Sequence, residues 1–167
     1  MAQYSEGDVS TFEIRKIKEH DCWTSYDFFI DEVYLPDILG IGSREGNLMF
    51  GNCDLDCFEA DSENQSHNID IIKSFVAACL GRKELDNQFG TNRIVLYRCH
   101  CGCDYCGVIS LVLKIDDEYV YWTDIRYEHD HVDFEWKTED KKFIRADYEL
   151  EFEKYLNQLP GWFTADE

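Results

Sequence analysis

Two runs of alternating apolar residues, joined by an acidic turn, constrain the fold of this chain more than any other feature. The first run extends from Gly107 to Ile115, and its apolar face consists of Ile109, Leu111, Leu113 and Ile115, with Ser110 and Lys114 on the opposite face. Asp116 and Asp117 follow as a turn, and the second run extends from Glu118 to Tyr127. A period of two is typical of a half-buried strand. We therefore predict an antiparallel hairpin within a β-meander.

Other segments show the same combination of apolar and aromatic residues. The further predicted strands are a first one marked by Phe12, Ile14 and Ile17, a second from Trp23 to Ile30 with Tyr26, Phe28 and Ile30 on one face, one from Arg93 to Cys99, and one from Phe143 to Arg145. Residues with high strand propensity dominate these segments. We expect the strands to join the hairpin in an antiparallel sheet.

Two main helices are predicted from their end signals. The first covers Ile69 to Leu80, with Asn68 as its N-cap and Gly81 directly after it. The second follows Asp147 as N-cap, and its apolar residues recur at helical spacing: Tyr148, Phe152, Tyr155, Leu156 and Leu159. Short polar caps and a glycine after the last turn are the usual helix boundaries. A shorter helix is predicted from Pro36 to Leu39, ending at Gly40.

Length and composition agree with an α+β fold. The chain has 167 residues, of which 44% are hydrophobic and 15% aromatic. A chain of this size can bury a core without disulfides or metals. We find no internal repeat and no Pro/Ser-rich linker, so we predict a single α+β domain over residues 1–167. Its predicted architecture is an antiparallel sheet or meander with about two main helices.

The charge of the chain restricts its partners. Acidic residues number 35 and Lys plus Arg number 16, which gives a formal charge of −19. Binding to nucleic acid or to an anionic membrane depends on clustered Lys and Arg, so neither partner is expected. A basic protein is the partner that this charge would attract.

The sequence predicts a cytoplasmic protein. The first eight residues contain neither a basic nor an apolar signal region. The longest clearly apolar run, Phe75 to Leu80, is far shorter than the roughly 20 residues that span a bilayer. In a reducing compartment the eight cysteines are expected to be thiols or metal ligands rather than disulfides.

Four cysteines cluster between two predicted strands. They are Cys99, Cys101, Cys103 and Cys106, with His100 among them and Gly102 and Gly107 beside them. Thiolates and imidazole are zinc ligands, and glycines allow the turns that bring sulfur atoms together. Structural zinc sites usually pair two C-x-x-C knuckles, and here only Cys103 and Cys106 have that spacing. A second pair would have to come from Cys53 and Cys57, or from His129 and His131.

Three interpretations of this cysteine segment remain open. The thiols can pack as small apolar side chains, ligate zinc, or serve redox or catalytic chemistry. A thioredoxin-like site requires C-x-x-C at a helix N-terminus, whereas this segment lies between strands. We expect no cofactor, with zinc as the alternative.

No catalytic motif is present. The chain contains no nucleophile elbow, zinc-protease motif, phosphate-binding loop or dinucleotide fingerprint. Asp54 and Asp56 lie on one side of an extended segment, and so do His129 and His131, but neither pair has the further partners of a working site. We therefore expect a protein that is not an enzyme.

Residues 116–153 form an acidic segment with interleaved aromatic side chains. They contain 14 acidic and five basic residues. Aromatic residues interleaved with these acids include Trp122, Tyr127, Phe134, Trp136 and Phe143. Rigid aromatic anchors surrounded by acids are typical of a surface that binds a basic partner. The alternative is that the aromatic residues are core and the acids are the solvated side of an amphipathic sheet.

Part of the chain resembles known bacterial proteins. The similar segments are Asn92 to Cys99, Cys101-Gly102, Cys106 to Ser110, and Val120 to Glu128. They resemble small uncharacterised bacterial cytoplasmic proteins that have a Cys-Gly hairpin followed by a V-x-W-x-D strand. They also resemble, more loosely, immunity proteins of contact-dependent growth inhibition and other polymorphic toxin systems. This resemblance implies a toxin inhibitor, and it implies no catalytic residues.

The leading hypothesis is a cytoplasmic immunity or inhibitor protein that covers the active site of a basic partner, most concretely the nuclease domain of a co-encoded toxin. The residues expected to contact that partner are Trp122, Asp124, Glu128, Asp130, Asp133, Glu135 and Trp136. Their carboxylates would replace substrate phosphates, and the two tryptophans would be anchors. The alternative hypothesis is a zinc-binding module or a cysteine-dependent enzyme built on Cys99 to Cys106.

Overall fold

The computed structural model of the chain describes residues 9–19, 24–40, 72–84, 90–97, 107–128 and 138–158. The strands are β1 (Val9–Ser10), β2 (Phe12–Glu19), β3 (Thr24–Ile30), β4 (Val33–Tyr34), β5 (Ile94–Tyr97), β6 (Val108–Ile115), β7 (Tyr119–Glu128) and β8 (Lys141–Ile144). The helices are α1 (Leu35–Leu39), α2 (residues 72–79) and α3 (Arg145–Gln158). The prediction of an α+β fold is confirmed. The assignment of all residues 1–167 to one domain stays a prediction.

The larger sheet contains the predicted meander. Its strand order is β1-β8-β7-β6-β5, and β5 to β8 pair antiparallel with their neighbours. The edge strand β1 pairs parallel with β8, which the sequence did not predict because β1 has only two residues. The turn between β6 and β7 lies at Asp116 and Asp117, as predicted.

The smaller sheet has the order β2-β3-β4 and is antiparallel throughout. Tyr26, Phe28 and Ile30 are buried, as their alternation predicted. A two-residue turn of Asp31 and Glu32 connects β3 to β4, and both residues have positive φ angles, of 52° and 67°. Such angles are typical of type I′ hairpin turns, in which asparagine and glycine are the usual residues.

Helix α2 ends in a Schellman motif. The backbone N–H of Arg82 donates to the Ala77 carbonyl at 2.9 Å, and that of Gly81 donates to the Ala78 carbonyl at 3.0 Å. Gly81 has a φ of 71°, and a Cβ atom there would lie 2.6 Å from Ile115 Cδ1. Both the backbone conformation and the contact with β6 therefore require glycine at the predicted helix end. The predicted N-cap Asn68 lies outside the described residues.

The boundary of α3 differs from the prediction. The helix begins at Arg145, so Asp147 lies in its first turn rather than at the N-cap. A carboxylate in the first turn still interacts favourably with the helix dipole. The buried face carries Tyr148, Phe152 and Tyr155, as the helical spacing predicted.

One hydrophobic cluster joins both sheets and all three helices of the described part. Phe12 of the smaller sheet lies at its centre, with its ring centroid 4.6 Å from that of Tyr148 and 5.1 Å from that of Phe143. Its centroid is also 5.5 Å from that of Trp122. Aromatic pairs at these separations contribute both buried area and favourable ring geometry. The core is therefore an aromatic cluster between the two sheets and α3.

Candidate functional site

The turn between β6 and β7 is held in place by the side chain of Asp116. Its Oδ1 accepts hydrogen bonds from the backbone N–H groups of Tyr119 at 2.7 Å and Glu118 at 2.9 Å, and its Oδ2 accepts one from the Tyr121 hydroxyl at 2.8 Å. These bonds, the one from Tyr119 first, hold the pKa of Asp116 below its usual value. Asp116 therefore shapes the turn, and both it and its neighbour Asp117 are exposed.

Arg145 connects this turn to the start of α3. Its backbone N–H donates to the Glu118 carbonyl at 2.8 Å, and its Nη1 donates to the Asp116 carbonyl at 3.1 Å. Its Nε also lies 3.3 Å from Glu149 Oε1. The turn and the first turn of the helix therefore form one continuous surface.

We call this surface the acidic corner and define it by Asp117, Glu118, Ile144, Asp147 and Leu150. Its three carboxylates are exposed, and none forms an ion pair within the part of the chain that the structure describes. Ile144 is 44% exposed and Leu150 is 47% exposed. Ile144 lies opposite Tyr119 in the β7–β8 register, and Leu150 is one helical turn after Asp147. Apolar and acidic side chains thus share this corner.

Trp122 was expected to anchor a partner, but it is a core residue. Its side chain is 1% exposed, and its indole Nε1 donates to the Tyr148 hydroxyl at 3.1 Å. The ring also packs edge-on against Phe28 and Phe143, with centroid distances of 5.5 Å and 5.3 Å. The alternation of β7 turns Trp122 towards the core, so its expected place at a binding surface is corrected.

Asp124 and Glu128 were also expected to face a partner, but they bind Arg93. The Arg93 side chain is only 5% exposed. Its Nη1 lies 2.7 Å from Asp124 Oδ2, and its Nε lies 3.2 Å from Glu128 Oε1. Arg93 also donates from Nε to Ser110 Oγ at 2.9 Å, and Ser110 Oγ lies 2.5 Å from Glu128 Oε1. The two acids therefore neutralise a buried cation. The Asp124 side chain is still 42% exposed and that of Glu128 is 17% exposed, and their role as partner contacts stays a prediction.

The same arginine stabilises an irregularity in β7. Between the pairs Ser110–Arg126 and Val112–Thr123, β7 contains one residue more than β6, which defines a β-bulge. Asp124 lies in this bulge with a φ of 49°, a conformation that asparagine and aspartate tolerate better than most residues. Its carbonyl accepts a hydrogen bond from Arg93 Nη2, and its N–H donates to Asp140 Oδ1 at 3.0 Å. Because of the extra residue, Trp122 and Ile125 both face the core.

Four of the expected contact residues lie outside the described part of the chain. They are Asp130, Asp133, Glu135 and Trp136. Their role as partner contacts stays a prediction. Trp122 is buried, and Asp124 and Glu128 are paired with Arg93. In the described part of the chain, we therefore take the acidic corner as the candidate interaction surface.

The cysteine segment also lies outside the described residues. This applies to Cys99, Cys101, Cys103 and Cys106, and to the other candidate ligands Cys53, Cys57, His129 and His131, as well as to the paired Asp54 and Asp56. Among the residues that the structure describes, no group of three His, Cys, Asp or Glu side chains is placed to hold a metal ion. Cys79 is buried in α2, and burial raises the pKa of its thiol well above the usual value. Zinc binding by Cys99 to Cys106 stays a prediction.

A cavity of about 310 Å³ lies between the end of α2 and the strands β5 and β6. Its wall includes the apolar residues Ala78 and Ile94 and the cations Arg82 and Lys83. Arg82 is engaged by Glu149 at 3.3 Å, and Lys83 donates to Ser74 Oγ at 2.9 Å. Both cations thus have protein partners.

Sequence reasoning missed two buried polar groups, Arg93 and Asp27. Asp27 is 0% exposed and accepts a hydrogen bond of 2.6 Å from the Tyr97 hydroxyl, which joins β3 to β5. The available signal was an acid between Tyr26 and Phe28 in an otherwise aromatic strand. Arg93 offered a similar signal, because it directly precedes the apolar run of β5.

No protein-family model, curated protein or solved structure matches this chain. Within the described residues, no helix has the length and apolar character needed to cross a membrane.

Proposed function

We propose that the chain is a cytoplasmic inhibitor protein of the immunity type, which binds a basic partner such as the nuclease domain of a bacterial toxin and covers its active site. The observation that carries this proposal is the acidic corner. Asp117, Glu118 and Asp147 are exposed carboxylates with no ion pair in the described part of the chain. The exposed Ile144 lies opposite Tyr119, the residue that follows Glu118, and the exposed Leu150 lies one helical turn after Asp147.

The chemistry of this corner suits a phosphate-binding protein as partner. A nuclease binds its substrate through Lys and Arg, and fixed carboxylates on an inhibitor can occupy the same cations. The net charge of −19 would steer such a partner towards the inhibitor. Ile144 and Leu150 would add the desolvated contacts that supply much of the binding energy at an interface.

The test uses the protein encoded by the neighbouring gene as the candidate partner. We would measure its toxicity in the host with and without this chain, and its association rate between 50 mM and 500 mM salt. We expect protection of the host and an association rate that falls steeply as salt increases. If the neighbouring gene product is neither neutralised nor bound, the proposal is wrong.

Charge-reversed variants locate the surface. We expect Asp117→Lys with Asp147→Lys to weaken binding at least tenfold, since like charges would face the basic partner. The matched control is Asp37→Lys with Glu84→Lys, which changes the net charge equally at exposed positions outside the acidic corner. Equal weakening by both double variants would show that net charge acts without a defined surface.

A further inference from the structure

The carboxyl group of Asp27 lies in the interior of the protein with one oxygen satisfied and the other not. Oδ1 accepts hydrogen bonds from the Tyr97 hydroxyl at 2.6 Å and from the backbone N–H of Phe28 at 2.8 Å. Oδ2 is buried and has no hydrogen-bond partner in the described part of the chain. A buried oxygen without a partner is unfavourable, and it is more so when it carries charge.

Within the residues that the structure describes, no positive charge forms an ion pair with Asp27. The titratable groups that face it in the described part come from three elements: Arg15 of β2, Tyr34 of β4 and Tyr97 of β5. Asp37 of α1 in turn acts on Tyr34. Arg15 is the cross-strand neighbour of Asp27, but its guanidinium binds Glu13 at 2.7 Å and lies 4.5 Å from the centre of the Phe29 ring. Tyr34 and Tyr97 are neutral phenols, and the negative charge of Asp27 adds to burial in raising the pKa of each.

We propose that Asp27 is a proton-binding site that couples the contact between the two sheets to pH. When the carboxyl is protonated, it is neutral and accepts the Tyr97 hydrogen bond at little electrostatic cost. When it loses the proton, a negative charge lies in the interior with an unsatisfied oxygen, and the region opens to water more readily. Because Asp27 belongs to the smaller sheet and Tyr97 to the larger one, this opening affects the junction between them.

The pKa of Asp27 agrees with this geometry. Burial raises it from 3.8 to about 6, although the interactions with the Tyr97 hydroxyl, the Phe28 N–H and the Tyr34 hydroxyl act in the opposite direction. The carboxyl therefore changes its charge in the range between weakly acidic and neutral pH.

The experiment follows the Asp27 carboxyl directly by ¹³C NMR during a pH titration of the full chain. We expect its inflection near pH 6, and a further upward shift in Tyr97→Phe, which removes a bond that favours the charged form. Titration of Asp27 near its ordinary value, or no upward shift in Tyr97→Phe, would overturn the proposal.

Amide hydrogen exchange then tests the coupling to structure. After correction for the intrinsic rates, we expect protection of the Phe28 N–H to fall about tenfold between pH 5 and pH 8. This fall should exceed that of amides in the centre of β6 and β7, and it should be lost in Asp27→Asn. If the protection of the Phe28 N–H depended on pH equally in wild type and in Asp27→Asn, the proposal would be wrong. If Asp27→Asn does not fold, Tyr97→Phe is measured in its place. The protection of the Phe28 N–H in Tyr97→Phe must then decrease at a higher pH than in wild type.

Discussion

The indole of Trp122 donates a hydrogen bond of 3.1 Å to the hydroxyl of Tyr148, and both side chains are buried in the core. The same hydroxyl donates to the carbonyl of Cys79 at 2.7 Å. A single phenol of α3 therefore satisfies a donor on β7 and an acceptor on α2. This arrangement makes Tyr148 a junction between three elements of the fold.

Removing that hydroxyl should destabilise the protein. Tyr148→Phe keeps the ring but leaves the Trp122 N–H and the Cys79 carbonyl without this partner, so we expect a loss of about 2–3 kcal/mol in the free energy of unfolding. Urea denaturation gives the measurement. The control Tyr121→Phe removes one bond to Asp116 at a partly exposed position and should change stability by less than about 1 kcal/mol. Similar values for the two variants would contradict the role of Tyr148.

Replacing the buried arginine should have a larger effect. Arg93→Met leaves Asp124 and Glu128 without their buried cation and removes the bond to the Asp124 carbonyl. We expect a loss of about 3–5 kcal/mol in the free energy of unfolding. Arg126→Met is the control, because this side chain is 45% exposed and lies 3.7 Å from Asp124. A decrease of less than about 1 kcal/mol in the free energy of unfolding of Arg93→Met would show that the contacts of Arg93 with Asp124 and Glu128 do not stabilise the bulge.

A substitution in the turn between β3 and β4 should make the protein more stable. Glu32 has a φ of 67°, which strains a residue with a Cβ atom, so Glu32→Gly should raise the free energy of unfolding by about 0.5–1 kcal/mol. Asp31→Gly should destabilise instead, because Asp31 Oδ1 accepts a hydrogen bond of 2.9 Å from the Thr11 N–H. Thermal unfolding of both variants provides the comparison. A change in stability of the same sign in both variants would contradict the prediction that the two turn residues have different roles.

Stability should fall as pH rises through the titration of Asp27. Its pKa is 3.8 as an ordinary carboxyl and about 6 in the folded protein, so between these values the unfolded chain binds fewer protons than the folded one. The stabilisation is complete below about pH 4 and is lost above the folded pKa, a total of about 3 kcal/mol. Of this, about 1.4 kcal/mol lies between pH 5 and pH 8.

Asp27→Asn separates this contribution from the general repulsion among the acidic residues. The amide stays neutral, so the difference in stability between variant and wild type should shift in favour of the variant as pH increases from 5 to 8. Urea denaturation at several pH values provides the curves. Asp117→Asn is the matched control, because it removes one carboxylate at an exposed position and leaves Asp27 in place. Parallel curves for Asp27→Asn would contradict the prediction.

The local pattern was enough to predict most elements. Alternation located β6, β7 and the buried face of β3, and glycines marked the ends of α1 and α2, since these signals depend on neighbouring residues alone. The predicted start of α3 is three residues late because Asp147 suits the first turn as well as the N-cap. The parallel pairing of β1 with β8 joins distant segments, and no local pattern reports it.

For the candidate surface, too, the sequence determines some properties and the tertiary structure others. The sequence by itself determined the excess of acids and their concentration in residues 116–153. Only the tertiary structure decided which of these acids are exposed and which form ion pairs. Trp122 faces the core, Asp124 and Glu128 neutralise Arg93, and Asp117, Glu118 and Asp147 are exposed where a β-turn meets α3. The physical reason is that composition fixes the total charge, whereas pairing and burial depend on which distant side chains the fold brings together.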